Sequence, residues 1–279
     1  MVNDRALVLG GGGVAGIAWM TGVLAGLADA GIDVSDAEFL LGTSAGSVVA
    51  AQVASGADLA SLYRAQVEPA LQQRELIPRE GALAEVFAFV EKLDTEVSDP
   101  LERRRRMGEV ALAADTVAEA DRLAVIEARL PSHTWSERLL RVVAVDAVTG
   151  ESRLFDRTSG VSLVDAVAAS CAVPGVWPPV TIGAARYIDG GIRSLTNLDL
   201  AADYTRVLAI APMPDATLEA DAAAIAGRGR IEVVTPDDPS RVAFGTDPLV
   251  PTTRTPAGHA GFAQGRAAAP AVAALWSEA

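Results

Sequence analysis

The chain has 279 residues, half of them apolar, and carries a net charge of −13. That length fits one large α/β domain or two small ones, with apolar residues enough for a sizeable core. The charge argues against nucleic acid as a partner, because phosphate backbones need clustered Lys and Arg. The single cysteine, Cys171, rules out a disulfide framework and suits a reducing, cytoplasmic setting.

Residues 6–28 form an uncharged run of 23, long enough in principle to span a bilayer. Seven of them are glycine, and four are consecutive at Gly10–Gly13, where a stable helix cannot continue. The start, Met1-Val2-Asn3-Asp4-Arg5, lacks the basic excess of a signal peptide. The run is therefore read as a buried strand at 6–9, a glycine loop and a buried helix ending near Gly31. Residues 39–57 repeat the pattern as strand, turn and helix. Both segments suit central elements of a largely parallel sheet covered on both faces.

From residue 59 to about 141 the composition predicts helix almost throughout, with breaks near Pro69, Pro78, Pro100 and Pro131. Strands are predicted at 141–147 and 152–156, joined by a turn at 148–151. A helix is expected at 163–170, a hairpin about Gly183-Ala184-Ala185, and buried strands at 206–211 and 231–235. Residues 236–256 hold five prolines and are predicted to be loop; the tail from Ala257 is predicted helical. With no repeat and no linker in view, the expectation is one α/β domain over 1–279 with a helical, cap-like insertion at about 59–141. The tetra-arginine run Arg103–Arg106 reads either as a solvated helix face beside Glu102 and Glu109, or as a transient membrane-surface contact for anionic headgroups.

Gly42-Thr43-Ser44-Ala45-Gly46 lies where the second strand should turn into a helix. A G-x-S-x-G there is the pattern of a nucleophile elbow, in which glycine is needed because the turn is tight. The helix that begins at Ala45 would point free N–H groups at the place where an oxyanion forms. The bland alternative is a glycine-rich turn with a capping serine.

Gly11-x-Gly13-x-x-Gly16 also satisfies a dinucleotide-binding fingerprint, which would make the chain a different kind of protein. Such a site expects a carboxylate at the end of the second strand, and Phe39-Leu40-Leu41-Gly42 has none. Two glycine loops at adjacent strand ends fit one site better, with the N–H groups of Gly11, Gly12 and Gly13 facing developing charge.

A serine nucleophile needs a base. The chain has two histidines, His133 and His259, and each reads as a surface or packing residue. The other candidate is Asp189 in Tyr187-Ile188-Asp189-Gly190-Gly191, which is equally an ordinary Asp-Gly turn. A carboxylate of ordinary pKa, about 4, is a weak base, and burial would raise it.

Taken together, four segments resemble the patatin-like phospholipase family over about residues 5–213. They are Gly10–Gly16, the elbow Gly42–Gly46, Ala168–Gly175 with Pro178-Pro179 after it, and Asp189-Gly190-Gly191. The resemblance implies a three-layer α/β/α fold and acyl-ester hydrolysis by a Ser44–Asp189 dyad, with Gly11, Gly12 and Gly13 as the oxyanion hole. It implies a lipid or other acyl-ester substrate, and neither metal nor cofactor. The family often carries Arg or Lys directly before the last loop glycine; this chain has Ala15. The alternatives are a small-ester or thioester hydrolase on the same dyad, a dinucleotide-binding protein using Gly11, Gly13 and Gly16, and an idle relative that only binds lipid.

Overall fold

The structure is a computed structural model and describes residues 4–277. Met1–Asn3, part of the segment weighed above as a signal peptide, lie outside the described residues, as do the last two of the predicted terminal helix.

The chain begins β1 (Arg5–Leu9), α1 (Gly13–Asp29), β2 (Phe39–Thr43), α2 (Ala45–Ala54). Next come α3 (Leu59–Val67), α4 (Ala82–Glu96), α5 (Pro100–Ala113) and α6 (Glu119–Arg129). Then follow β3 (Leu139–Asp146), β4 (Ser152–Phe155), α7 (Leu163–Ser170), β5 (Val180–Ile182) and β6 (Ala185–Asp189). The remainder is β7 (Arg206–Ile210), α8 (Leu218–Ala226), β8 (Arg230–Val234), α9 (Asp238–Phe244) and α10 (Arg254–Trp276). The strands form one eight-stranded sheet. Its parallel part runs β8-β7-β1-β2-β3, and β4, β5 and β6 add antiparallel pairs beside it.

Alternation sorts the apolar strands onto two faces. Leu7 and Leu9 of β1 join a core shared with α1, α2 and α10, whereas Ala6 and Val8 join one shared with Ile225 of α8. This is a three-layer α/β/α arrangement, as the family resemblance implied. A third core, with Leu93, Met107, Trp177 and Ile188, seats α4 and α5 against the ends of β3 and β6.

Glycine inside α1 has a packing reason. A Cβ on Gly22 would lie 2.3 Å from the Gly258 carbonyl oxygen, and one on Gly265 would lie 2.2 Å from that of Val23. The backbones of α1 and α10 touch along this seam, which only glycine permits.

Three boundaries depart from the sequence reading. Residues 72–81, around Pro78, are not helical; nor are residues 130–138, where Pro131 ends the helical run early and β3 begins at Leu139. The proline-rich stretch 236–256 is not all loop: it contains α9 and the first residues of α10. Its prolines start helices instead of breaking them, since Pro239 and Pro256 sit in first turns where no N–H is needed. Asp237 caps α9 by accepting from the Ser240 N–H at 2.9 Å. The tetra-arginine run lies on α5 and is tied locally: Arg103 pairs with Asp94, Arg104 donates to the Gly150 carbonyl, and Arg105 and Arg106 pair with Glu102.

Candidate active site

Parallel pairing sets Leu9 beside both Gly42 and Ile210, so the carboxyl ends of β1, β2 and β7 are level. The glycine loop, the serine turn and Pro212 meet at that edge, where open α/β sheets gather their ligands.

The serine turn is an elbow. Ser44 holds φ 52° and ψ −120°, a conformation costing a non-glycine residue about 1–3 kcal/mol. Its neighbours leave no alternative path. A Cβ on Gly46 would fall 1.9 Å from the Leu9 carbonyl oxygen, and one on Gly42 would fall 2.5 Å from the Cα of Ser47. Hydrogen bonds hold the strained unit in place. The Ser44 N–H donates to Ser170 Oγ at 2.9 Å, and the Ser44 carbonyl accepts from Ser47 Oγ at 2.6 Å and from Cys171 Sγ at 3.2 Å. Burial pushes the Cys171 thiol up to about 11, so it braces the turn as an unionised donor.

Strand pairing delivers Asp189 to the same point. Thr43 pairs with Val143 of β3, and Asp189 pairs with the next residue, Ala144. Because β4 overlaps both registers, it takes one edge of β3, and β2 and β6 share the other edge end to end. Ser44 Oγ donates to Asp189 Oδ2 at 2.7 Å, and the Gly191 N–H donates to Asp189 Oδ1 at 2.8 Å. Asp189 is only 4 % exposed. Burial raises its pKa to about 7, against the opposing pull of its Ser44 and Gly191 hydrogen bonds and the Arg122 charge. The carboxyl group thus changes charge near neutral pH.

The glycine loop lies against both residues, in part. Gly11, Gly12, Gly13, Ser44 and Asp189 line one cavity of about 150 Å³. The Gly11 N–H is engaged by the Leu195 carbonyl at 2.8 Å. Among the described residues nothing accepts from the N–H of Gly12, Gly13 or Ala45, so these three are the donors at hand. Gly13 needs its glycine: it has φ +63°, and a Cβ would meet the Pro248 carbonyl oxygen at 2.8 Å. Gly10 donates to Ile210, and Gly16 packs on Pro212 and Ala45 inside α1. Gly190 lies against the Val143 carbonyl, which brings its turn up to β3. The cavity's other walls are apolar, with Leu83, Val86, Phe87 and Val90 contributed by α4.

Both histidines lie elsewhere. His259 Nδ1 is 2.9 Å from the Tyr63 hydroxyl, and His133 faces Glu127. Neither lines a cavity with Ser44.

Sequence reasoning missed several residues here. Asn197, at φ 52°, donates through Nδ2 to Thr43 Oγ1 at 3.0 Å and to the Gly190 carbonyl at 3.3 Å, clamping the serine strand to the aspartate turn. Arg122 of α6 lines a second cavity with Ser44. Its signal was periodic: Arg122, Ile126 and Arg129 share one helix face, and Ile126 is fully buried.

The family profile described as patatin-like phospholipase matches residues 7–202. The fold is similar to that of VipD from Legionella pneumophila, with a TM-score of 0.48 and 16% identity over 96% of this chain and 67% of that one. It is similar also to the type III effector protein ExoU, with a TM-score of 0.40 and 16% identity over 96% of this chain and 53% of that one. The chain therefore spans about two thirds of the first protein and about half of the second. No curated relative matches it. The profile covers most of the chain and takes in the glycine loop, the serine elbow and the aspartate turn: the chain belongs to the patatin-like phospholipase family.

Proposed function

We propose that this protein hydrolyses acyl esters of lipids through a covalent acyl-enzyme, with Ser44 as nucleophile and Asp189 as its base. The observation that carries the reading is the 2.7 Å hydrogen bond from Ser44 Oγ, on a strained elbow, to a buried Asp189 carboxylate. Family membership supports a lipid substrate.

Ser44 Oγ attacks the ester carbonyl carbon while its proton passes to Asp189 Oδ2. A base with a pKa near the working pH serves this step best, because enough of it is ionised and it still holds the proton firmly. The tetrahedral oxyanion is met by the N–H groups of Gly12, Gly13 and Ala45, with the positive end of α2 behind Ala45. Gly11 holds the loop in shape through Leu195. As the intermediate collapses, the C–O bond to the alcohol breaks and the alcohol takes the proton from Asp189. Water then attacks the acyl-enzyme, gives its proton to Asp189 and releases the acid, and the proton returns to Ser44 Oγ.

The apolar cavity beside Ser44 accommodates the acyl chain against α4. Phe87 lines that cavity and is also 45 % exposed, so the same helix reaches the surface where a lipid would arrive. The test is fatty-acid release from a defined acyl ester: the parent should turn over and Ser44→Ala should not.

A further inference from the structure

Behind Ser44 the charge does not balance. Arg122, on the insertion helix α6, is 4 % exposed, and its Nε and Nη1 are buried without a hydrogen-bond partner among the described residues. Its guanidinium carbon sits 4.1 Å from the centroid of the Trp177 ring, which fixes the plane without satisfying those donors. Burial pushes this group down to about 10, which leaves it charged at neutral pH. The acid that lines the same cavity is no help. Glu75 is already taken by Arg129, at 3.1 and 2.6 Å, and by Arg254. Three buried guanidinium groups therefore face one carboxylate apart from Asp189. A buried cation without a partner is expensive, so a protein with no use for one would replace it with an apolar residue.

Arg122, Arg129, Glu75 and Ser44 line a cavity of about 20 Å³, which adjoins the acyl cavity at Gly13, Ser44, Val173 and Leu249. Through Val14, Ile17, Glu75 and Arg129 it continues into a cavity of about 220 Å³ walled also by Gln52 and Arg254. There Gln52 Oε1 and Arg254 Nε again lack partners among the described residues. Four of the six buried polar side-chain atoms without partners among the described residues thus border this route. The glycine loop offers no cation, since residues 6–28 carry no charge.

We propose that Arg122 is the anion ligand of the site, holding a phosphoryl oxyanion on the alcohol half of the ester while the acyl half lies against α4. The proposal rests on the acyl-hydrolase reading for the identity of the ester. It makes the insertion the source of specificity for anionic over neutral acyl esters.

The test compares dioctanoyl-phosphatidylglycerol with dioctanoylglycerol in the same detergent micelles, on the full chain. The parent should prefer the phosphate ester in kcat/KM. In Arg122→Gln that ratio should fall roughly 10–100-fold, the worth of a hydrogen bond to a charged group, and mainly through KM. Arg122→Lys should recover part of it. Inorganic phosphate, at matched ionic strength, should raise the parent's melting temperature saturably and leave Arg122→Gln unmoved. The phosphate arm separates the free ion from the lipid headgroup: protection without a substrate preference would assign the site to free phosphate and overturn the substrate role. An unchanged ratio in Arg122→Gln, or a parent with neither preference nor protection, overturns the proposal. Should Arg122→Gln fail to fold, the parent's preference and Arg122→Lys decide. If no ester is turned over at all, the hydrolase reading falls, and the phosphate-dependent melting shift still tests the anion site by itself.

Discussion

Thr43 and Asp189 pair with consecutive residues of β3, Val143 and Ala144, although helices α2 to α7 lie between them in the chain. One strand thereby templates both halves of the proposed dyad. Thr43 leads into the elbow and Asp189 ends its strand, so Ser44 and the carboxylate meet without any loop having to find the other. Asn197 ties the same two points from the side. Such a site is as rigid as the sheet that carries it.

Asp189→Asn should remove most ester turnover and leave the fold intact. In the parent, the acid limb of kcat/KM should follow an apparent pKa near 7, the value to which burial raises Asp189. The same residue shapes stability. Its folded pKa lies above the unfolded one, so between about pH 4 and pH 7 the folded state keeps a proton that the unfolded state has lost. Stability from this group is full below pH 4 and declines as pH rises through 7. Urea unfolding from pH 4 to 8 should therefore show Asp189→Asn gaining on the parent, by an amount on the order of a few kcal/mol, with the gain levelling off above pH 7.

His259→Ala and His133→Ala should each keep turnover within about three-fold, because neither ring lines the Ser44 cavities. The acid limb should persist in both variants. A collapse of activity in His259→Ala with Asp189→Asn nearly intact would replace the dyad with a histidine-based site.

The elbow glycines are a packing requirement, and a glycine elsewhere in the chain serves as the control. Gly46→Ala places a Cβ 1.9 Å from the Leu9 carbonyl oxygen and should cost about 3 kcal/mol or more, read as a lower midpoint in thermal unfolding. Gly227→Ala, where the nearest atom lies at 3.6 Å and φ is −70°, should be neutral or stabilising by up to about 1 kcal/mol.

Much of this was legible in the sequence because it rests on local rules. A strand followed by G-x-S-x-G and an Ala-Val run leaves little choice of geometry, and the glycine loop and Asp-Gly-Gly turn announce themselves by composition. What escaped was whatever depends on partners distant in the chain. Nothing near Gly11 says that its N–H is already held by Leu195, and nothing near Asn197 says that it reaches both Thr43 and Gly190. The prolines of 236–256 misled because a proline opening a helix and a proline ending one look alike without the cap. Helix α8, rich in alanine with an acidic first turn, was passed over for want of a strong apolar face. Arg122 was hidden because arginine on a helix normally snorkels to water.

If the acyl chain lies against α4 as proposed, that helix should set the chain length the cavity accepts. Leu83→Trp or Val90→Trp would fill part of the roughly 150 Å³ space. Either should cut kcat/KM on a long-chain p-nitrophenyl ester about ten-fold or more relative to the acetate ester, since overpacking a close-fitting pocket excludes methylenes selectively. An unchanged chain-length profile would place the acyl chain elsewhere.

Fluorophosphonate labelling of the full chain, followed by peptide mapping, tests the central claim most directly. The label should sit on Ser44 alone. Ser44→Ala should abolish it and reduce ester turnover by roughly 10³-fold or more, the usual consequence of removing a nucleophile. A label mapped to another residue, or labelling and turnover undiminished in Ser44→Ala, would contradict the account.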